Sequence, residues 1–465
     1  MAVELAGLLV ANVFYLVLGA AVFVAAGFVD RRRSTWPRLF AAYLFGVAVV
    51  VIPASYLALL HIGVGWATTA LAMVAAVLLA RRRLRRAATP ADKERPAPPA
   101  LETLVALPFL VVAVAVLVYA SRTFAVRPLV EWDAWALWAA KARLLYELPA
   151  VAPGVLNSST YGAPSYPLGF PTLQALAFRA IGTFDGTLVG IQLLLLAFGL
   201  VGALWGLLRG VARPPVIAVA ALVIVTAPQF LYQLLTHYAD VPLAIFVAAG
   251  VAAGGTWLVS DGVDTWALVC LVAFLGMATL TKNEGLLFAA ACLAALIATA
   301  ATTGRARVRR ATVAAAAVLA IALPWRVYTI LLDLRPADYD LSNAFRPGYL
   351  RDHVDRLDTV VPELWRQIVV TSHWGYVVPI VGLALISGAT GRRWRISLYA
   401  TLWLGASFGG LLITYWVSVL PLESNLSNSS YRTIVSLIAG GIAVTPLLLF
   451  PRTEDDPATS TSGPR

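Results

Sequence analysis

The sequence predicts an all-α polytopic membrane protein with about 13 transmembrane helices, and three observations carry that expectation. Of its 465 residues, 60% are hydrophobic and only 13% are charged. The apolar residues gather in runs of about 20, the length an α-helix needs to cross a bilayer. The arginines that raise the net charge to +11 collect in short loops between those runs, as cytoplasmic loops of membrane proteins do. That placement removes nucleic acid as the partner a basic soluble chain would suggest.

Taken in order, the expected spans run over residues 5 to 29, 37 to 58, 62 to 81, 102 to 120, 186 to 208, 214 to 235, 240 to 259, 265 to 281, 284 to 302, 311 to 332, 367 to 388, 396 to 419 and 431 to 450. The first run is longer than a signal-peptide core and no basic segment precedes it, so it reads as a mature helix. Alternate threading puts Arg31 to Arg33, Arg81 to Arg83, Arg85, Arg86, Arg209, Arg213, Arg305, Arg307, Arg309, Arg310, Arg392, Arg393 and Arg395 on one side. The positive-inside rule makes that side cytoplasmic. The N-terminus then lies outside, and the tail over 451–465 lies inside, where its composition predicts disorder. Residues 1–86 form three leading, accessory helices. Residues 87–100, AATPADKERPAPPA, form a Pro-rich cytoplasmic linker, and 101–450 hold the remaining ten helices. Cys270 and Cys292 lie inside apolar runs, away from any CxxC or Cys/His cluster, and read as small core residues.

Two long segments, 121–185 and 333–366, fall on the outward side, and segments of this length usually carry function. The first opens with EWDAWALWAAKARLL. As a helix it sets Trp132, Trp135 and Trp138 in one interfacial stripe with Asp133 nearly opposite. Glu131 and Asp133 are also suited to capping a helix N-terminus. The stretch YGAPSYPLGFPTLQ, with Tyr166, reads as an extended loop fixed by proline. Three further outward turns add His237, Tyr238 and Asp240, then Lys282, Asn283 and Glu284, then Tyr431 and Arg432. Arg326 lies within an apolar helix, where charges tend to face a cavity or one another. Only three lysines accompany 32 arginines, and two of them, Lys141 and Lys282, sit in these outward clusters. A compact ammonium there suits a phosphate. The N-x-[ST] matches beginning at Asn157, Asn425 and Asn428 are short enough to arise by chance.

Neither a P-loop, a GxGxxG, a His/Cys metal pattern nor a Ser/His/Asp motif is present. Acids and bases spread over several helices on one membrane face instead suit an anionic, membrane-embedded donor and a hydroxyl acceptor. Glu131, Asp133 and Asp240 offer oxygen ligands for a divalent cation such as Mg²⁺ or Mn²⁺, and the same acids can work without metal; the sequence leaves both open. A secondary transporter of sugars or lipid-linked anions is the rival class, although such proteins usually place their polar site near the midplane and show repeat symmetry.

The ordered set of EWD after a spanning helix, YADVPLA, LTKNEG and SSYRT resembles the GT-C glycosyltransferases. It is most similar to bacterial relatives of the protein O-mannosyltransferases and the lipid A aminoarabinose transferases, over about residues 100 to 450. The resemblance implies inverting transfer of a sugar from a polyprenyl-phosphate carrier to a glycan, lipid or protein hydroxyl, at the outer face of the bacterial cytoplasmic membrane. It implies Asp133 as general base with Glu131 beside it, Asp240 in support, and Lys282 and Arg432 on the carrier phosphate. Lys141 and Arg326 join the expected phosphate ligands. Glu284, His237, Tyr238, Tyr166 and Tyr431 are the expected substrate contacts. The family often shows two adjacent acids, whereas Trp132 separates Glu131 from Asp133 here, so either can be the base.

Overall fold

In the computed structural model of the chain, the described residues are 2–29, 35–60, 74, 76–82, 100–127, 129–148, 155, 163–334, 339–391 and 393–449. The helical content is 85%, and no strand forms among the described residues. In lipid an α-helix satisfies each backbone N–H and C=O within its own segment, which is why apolar runs of this length fold as helices.

The chain begins with α1 (Ala2–Ala25) and a 3₁₀ turn (Trp36–Ala41) that leads into α2 (Ala42–Leu59). Next come α3 (Ala100–Val126), a π-helical turn (Ala134–Ala139) continuing as α4 (Ala140–Glu147), α5 (Gly169–Ile181) and α6 (Gly186–Leu208). The middle holds α7 (Pro214–Thr226), α8 (Pro228–Leu235), α9 (Asp240–Val259), α10 (Thr265–Thr281), α11 (Glu284–Ala301) and α12 (Arg305–Leu331). The last part holds α13 (Leu357–Val369), α14 (Val377–Thr390), α15 (Trp394–Trp416) and α16 (Leu422–Leu449).

Among the described residues, nine helices are long and apolar enough to cross a membrane, and the bent pair α7 and α8 makes a tenth candidate. This is a membrane-embedded helical protein. The 54° bend between α7 and α8 falls at Ala227, which is extended (ψ 126°) because Pro228 follows and disfavours a helical residue before it. The expected span over 367 to 388 is not one helix. α13 ends at Val369, and Gly375, with φ +59°, turns the chain before α14 begins; such a left-handed residue ends a helix, and glycine adopts it without strain. The final span starts earlier than expected, at Leu422. The linker over 87–99, the tail over 451–465 and most of the expected span over 62 to 81 lie outside the described residues.

Two almost wholly buried helices, α9 and α16, pack on each other at the centre. Helices α1 and α2 cross where a Cβ on Gly19 would stand 2.0 Å from Ala42 O and one on Gly46 would stand 1.9 Å from Tyr15 O. Close backbone approach through small residues is how helices associate in lipid. The pair then packs on α5, α6 and α10. A buried triangle fixes it there: Tyr43 Oη donates to Asn12 Oδ1 (2.6 Å), Asn12 Nδ2 to Gln192 Oε1 (2.9 Å) and Gln192 Nε2 to Tyr43 Oη (3.2 Å). The first two helices are therefore part of the same core as the rest.

The loop joining α9 to α10 gathers arginines from several elements. Arg38 pairs with Asp264 at 2.8 Å, Arg307 with Asp261 at 3.2 Å, and Arg310 Nη1 donates to Gly262 O at 2.7 Å. The opposite end of α9 begins with Asp240.

Candidate functional site

Asp240 opens α9 without capping it: no side-chain cap bond forms there. Its carboxylate is 2% exposed and instead receives Lys282 Nζ on Oδ1 at 2.9 Å, and Arg432 Nε and Nη2 on Oδ2 at 3.2 and 3.0 Å. Lys282 stands in an extended conformation where α10 stops, and its Nζ also lies 3.0 Å from Glu284 Oε1 at the start of α11. The tight turn between the two helices needs Gly285, since a Cβ there would stand 1.9 Å from Ala278 O. From the third turn of α16, Arg432 reaches both ways. Its Nη1 is 2.6 Å from Asp133 Oδ2, and its guanidinium carbon lies 4.0 Å from the centre of the Tyr238 ring. Buried charge is tolerated only when paired, and two buried acids, Asp240 and Glu284, match two buried bases, Lys282 and Arg432. Asp133, 21% exposed, is the open member of the cluster.

Over this cluster lies a cavity of about 370 Å³. Asp133, Lys282, Glu284 and Arg432 supply its charged surface, while Trp132, Trp138 and Tyr166 supply an aromatic one. Ser424, Asn425, Asn428, Ser429 and Thr433 of α16 and Thr414 and Tyr415 of α15 give it a neutral polar side. Tyr339 also lines it, held by a bridge to Ser418 and by Asp340 N donating to Val417 O at 3.3 Å. Arg356 anchors the same segment through Nη1 to Trp416 O and Ser418 O, at 3.0 and 2.9 Å. Glu284 Oε2 is buried and finds no hydrogen-bond partner among the described residues.

Of the residues singled out in the sequence, Asp133, Lys282, Glu284, Arg432 and Tyr166 line the cavity. Asp240 and Tyr238 hold Arg432 from behind. Glu131 pairs with Arg127 four residues earlier and does not line the cavity. Arg326 is also set back: its Nη1 donates to Asn283 Oδ1 at 2.9 Å and so braces the turn that carries Lys282 and Glu284. Lys141 does not reach the cavity as a phosphate ligand would. Its Nζ is buried and donates to Ala163 O (2.7 Å) and Tyr166 O (3.2 Å), fixing the segment that presents Tyr166, and burial lowers its pKa to about 7. His237 is likewise no cavity contact. It sits with φ +60°, its ring edge-on to Phe124, and burial together with nearby Arg127 lowers its pKa to about 4, so its imidazole is neutral at pH 7. Tyr431 turns towards Tyr232, and its carbonyl accepts from Gln229 Nε2.

Two local expectations are corrected. The tryptophans do not share one stripe: Trp132 and Trp135 are exposed, while Trp138 is buried against Tyr166 and Phe170. The π-helical turn widens the spacing between them, so three-residue steps no longer fall on one face. The proline-rich stretch is not extended throughout. α5 begins at Gly169, with Pro171 in its first turn, where the missing N–H costs no hydrogen bond.

The three acids considered for a cation do not face one another. Asp133 and Asp240 are bridged by Arg432, and Glu131 is held by Arg127. No group of three His, Cys, Asp or Glu side chains converges as metal ligands among the described residues. Compared with known proteins, the chain matches no family model, no curated protein and no solved structure.

Proposed function

We propose that the chain is a GT-C-like glycosyltransferase. It moves a sugar from a polyprenyl-phosphate carrier to a hydroxyl of a glycan, lipid or protein, at the outer face of the bacterial cytoplasmic membrane. The observation that carries this reading is the meeting of Asp133 with Lys282 and Arg432 on one cavity surface, from three distant stretches of sequence. The arginine-bearing loops at the far end of α9 support an outward-facing site under the positive-inside rule. The span count reaches 13 if the bent α7–α8 pair, the short α10 and α14, and residues 62–81 each cross.

The chemistry follows from the shared guanidinium. A phosphodiester that takes the place of Asp133 on Arg432 Nη1 keeps that guanidinium paired and frees the Asp133 carboxylate. Asp133 then accepts the proton of the acceptor hydroxyl as its oxygen bonds to the anomeric carbon. The bond from that carbon to the phosphate oxygen breaks on the opposite face, which inverts the centre. Arg432 and Lys282 assist only as far as they hold the departing phosphate more tightly than the bound donor. Asp240 orients both bases. Of the two acids left open by the sequence, Asp133 is the better base because it lines the cavity and Glu131 does not.

The test is an assay of purified protein in lipid with radiolabelled polyprenyl-phospho-sugars and an envelope extract as acceptor. Labelled product is expected. A second reading, a secondary transporter, draws on the broken α7–α8 span, since transporters build sites on discontinuous helices. Accumulation of sugar inside proteoliposomes, with no covalent product, would replace the transferase reading by that one.

A further inference from the structure

We propose that the neutral polar face of α16 is the sugar subsite of this cavity and that it selects a glycosyl group without an amino or carboxyl substituent. The proposal rests on the transferase reading for the identity of the donor, but its geometry is separate from the phosphate-holding bases.

Ser424, Asn425, Asn428 and Ser429 all line the cavity. Their spacing places them on one side of the helix, and the same stripe continues to Arg432 at the charged surface. Part of this side is preorganised. Asn425 Nδ2 donates to Ser418 Oγ at 2.8 Å, its Oδ1 accepts from Ser429 Oγ at 2.9 Å, and Ser429 Oγ also meets Tyr415 Oη at 2.9 Å. Ser424 and Asn428 are exposed towards the opening, and Asn428 is steadied through Nδ2 to Ser424 O at 2.8 Å, which leaves its Oδ1 for a ligand hydroxyl.

Three features define the ligand. A surface of hydroxyls and amides presents both donors and acceptors, the complement of a polyol rather than of a hydrocarbon. Glu284 Oε2, buried on the same cavity, needs a donor, and a sugar hydroxyl provides one. The buried side-chain charges beneath already match, two acids to two bases, and a phosphodiester replacing Asp133 on Arg432 keeps that guanidinium paired. An ammonium or carboxylate on a sugar held by Ser424, Asn425, Asn428 and Ser429 would then be an extra charge against side chains that carry none. At about 370 Å³ the cavity lies near the lower end of the range of about 300–1,000 Å³ for small-molecule sites, which suits one sugar rather than a chain of them.

The experiment measures binding to the full chain in lipid nanodiscs of a short prenyl phosphate, bare or carrying a neutral hexose, a neutral pentose, an amino sugar or a uronic acid. One neutral sugar is expected to tighten binding about tenfold over the bare phosphate, the worth of one or two good hydrogen bonds. The double variant Ser424→Ala, Asn428→Leu should lose that gain and still bind the bare phosphate. Both positions are exposed, so the fold should survive, and an unchanged unfolding midpoint checks it. Tightest binding by the amino sugar or the uronic acid, no gain from either neutral sugar, or a gain that persists in the double variant would each overturn the proposal. If the bare phosphate fails to bind while a free neutral sugar binds wild type and not the variant, the subsite stands and the transferase reading falls.

Discussion

The two ends of α9 use the same residue types to opposite effect. At its start, Asp240 is 2% exposed and held at 2.9–3.2 Å by Lys282 and Arg432, which are themselves buried. About 30 Å away, at the rise of an α-helix over 20 residues, Asp261 is 67% exposed and meets Arg307 at 3.2 Å and Arg395 at 3.9 Å. Water screens the second cluster, so each member is nearly dispensable. The first is shielded from water, and each member is costly to remove because its partners cannot be resolvated. Burial, rather than the number of charges, separates a site from a surface staple.

The contrast is broken most directly by Asp240→Ala, which removes the carboxylate that Lys282 and Arg432 share and leaves Lys282 only Glu284 and Arg432 only Asp133. A loss of about 3–5 kcal/mol is expected, read as a large fall in the thermal midpoint of purified protein in lipid. A loss below about 1 kcal/mol would mean that the cluster is no more demanding than the exposed end. Gly285→Ala should cost about 1–3 kcal/mol by forcing apart the turn that presents Lys282 and Glu284, and a near-neutral result would contradict that close approach.

Lys141 sharpens the comparison because it is a buried base that no carboxylate pairs with among the described residues. Its pKa falls from an ordinary 10.5 to about 7 in the folded chain, so between those values the unfolded chain holds more protons and stability should rise with pH. A lysine paired like Lys282 has no such reason to favour its neutral form. Unfolding midpoints measured from pH 7 to 10 should climb in wild type and climb less in Lys141→Met; parallel curves would remove Lys141 as the cause. The smallest effect is expected at the far end, where Asp261→Ala should change stability by about 0–1 kcal/mol, less at high salt. A loss as large as that of Asp240→Ala would erase the distinction between the two ends.

Much of the charged cluster was legible in the sequence because charge inside apolar runs has few places to go. Asp240, Lys282, Glu284 and Arg432 each interrupt such a run, and they meet. What stayed illegible depends on local geometry and on neutral residues. The π-helical turn that buries Trp138 leaves no mark in a pattern read at ordinary helical spacing. Lys141 looked like a phosphate ligand by residue type, and only the packing of the segment at Ala163 and Tyr166 shows that its Nζ is buried and bonded to two backbone carbonyls. The cavity-lining side of α16 reads as a polar helix start, and its asparagines look like chance glycosylation matches. The available signal was the run SNLSNSS leading without a break into SSYRT, where the arginine stands.

The central claim is that Asp133, held on Arg432 until a phosphate replaces it, is the base. The most direct test is single-turnover transfer by wild type and Asp133→Asn with a verified polyprenyl-phospho-sugar donor, with donor binding measured alongside. Transfer about 10²–10⁴-fold slower in the variant, with donor binding at least as tight, is the predicted result. Equal transfer rates would contradict it and remove Asp133 from the chemistry.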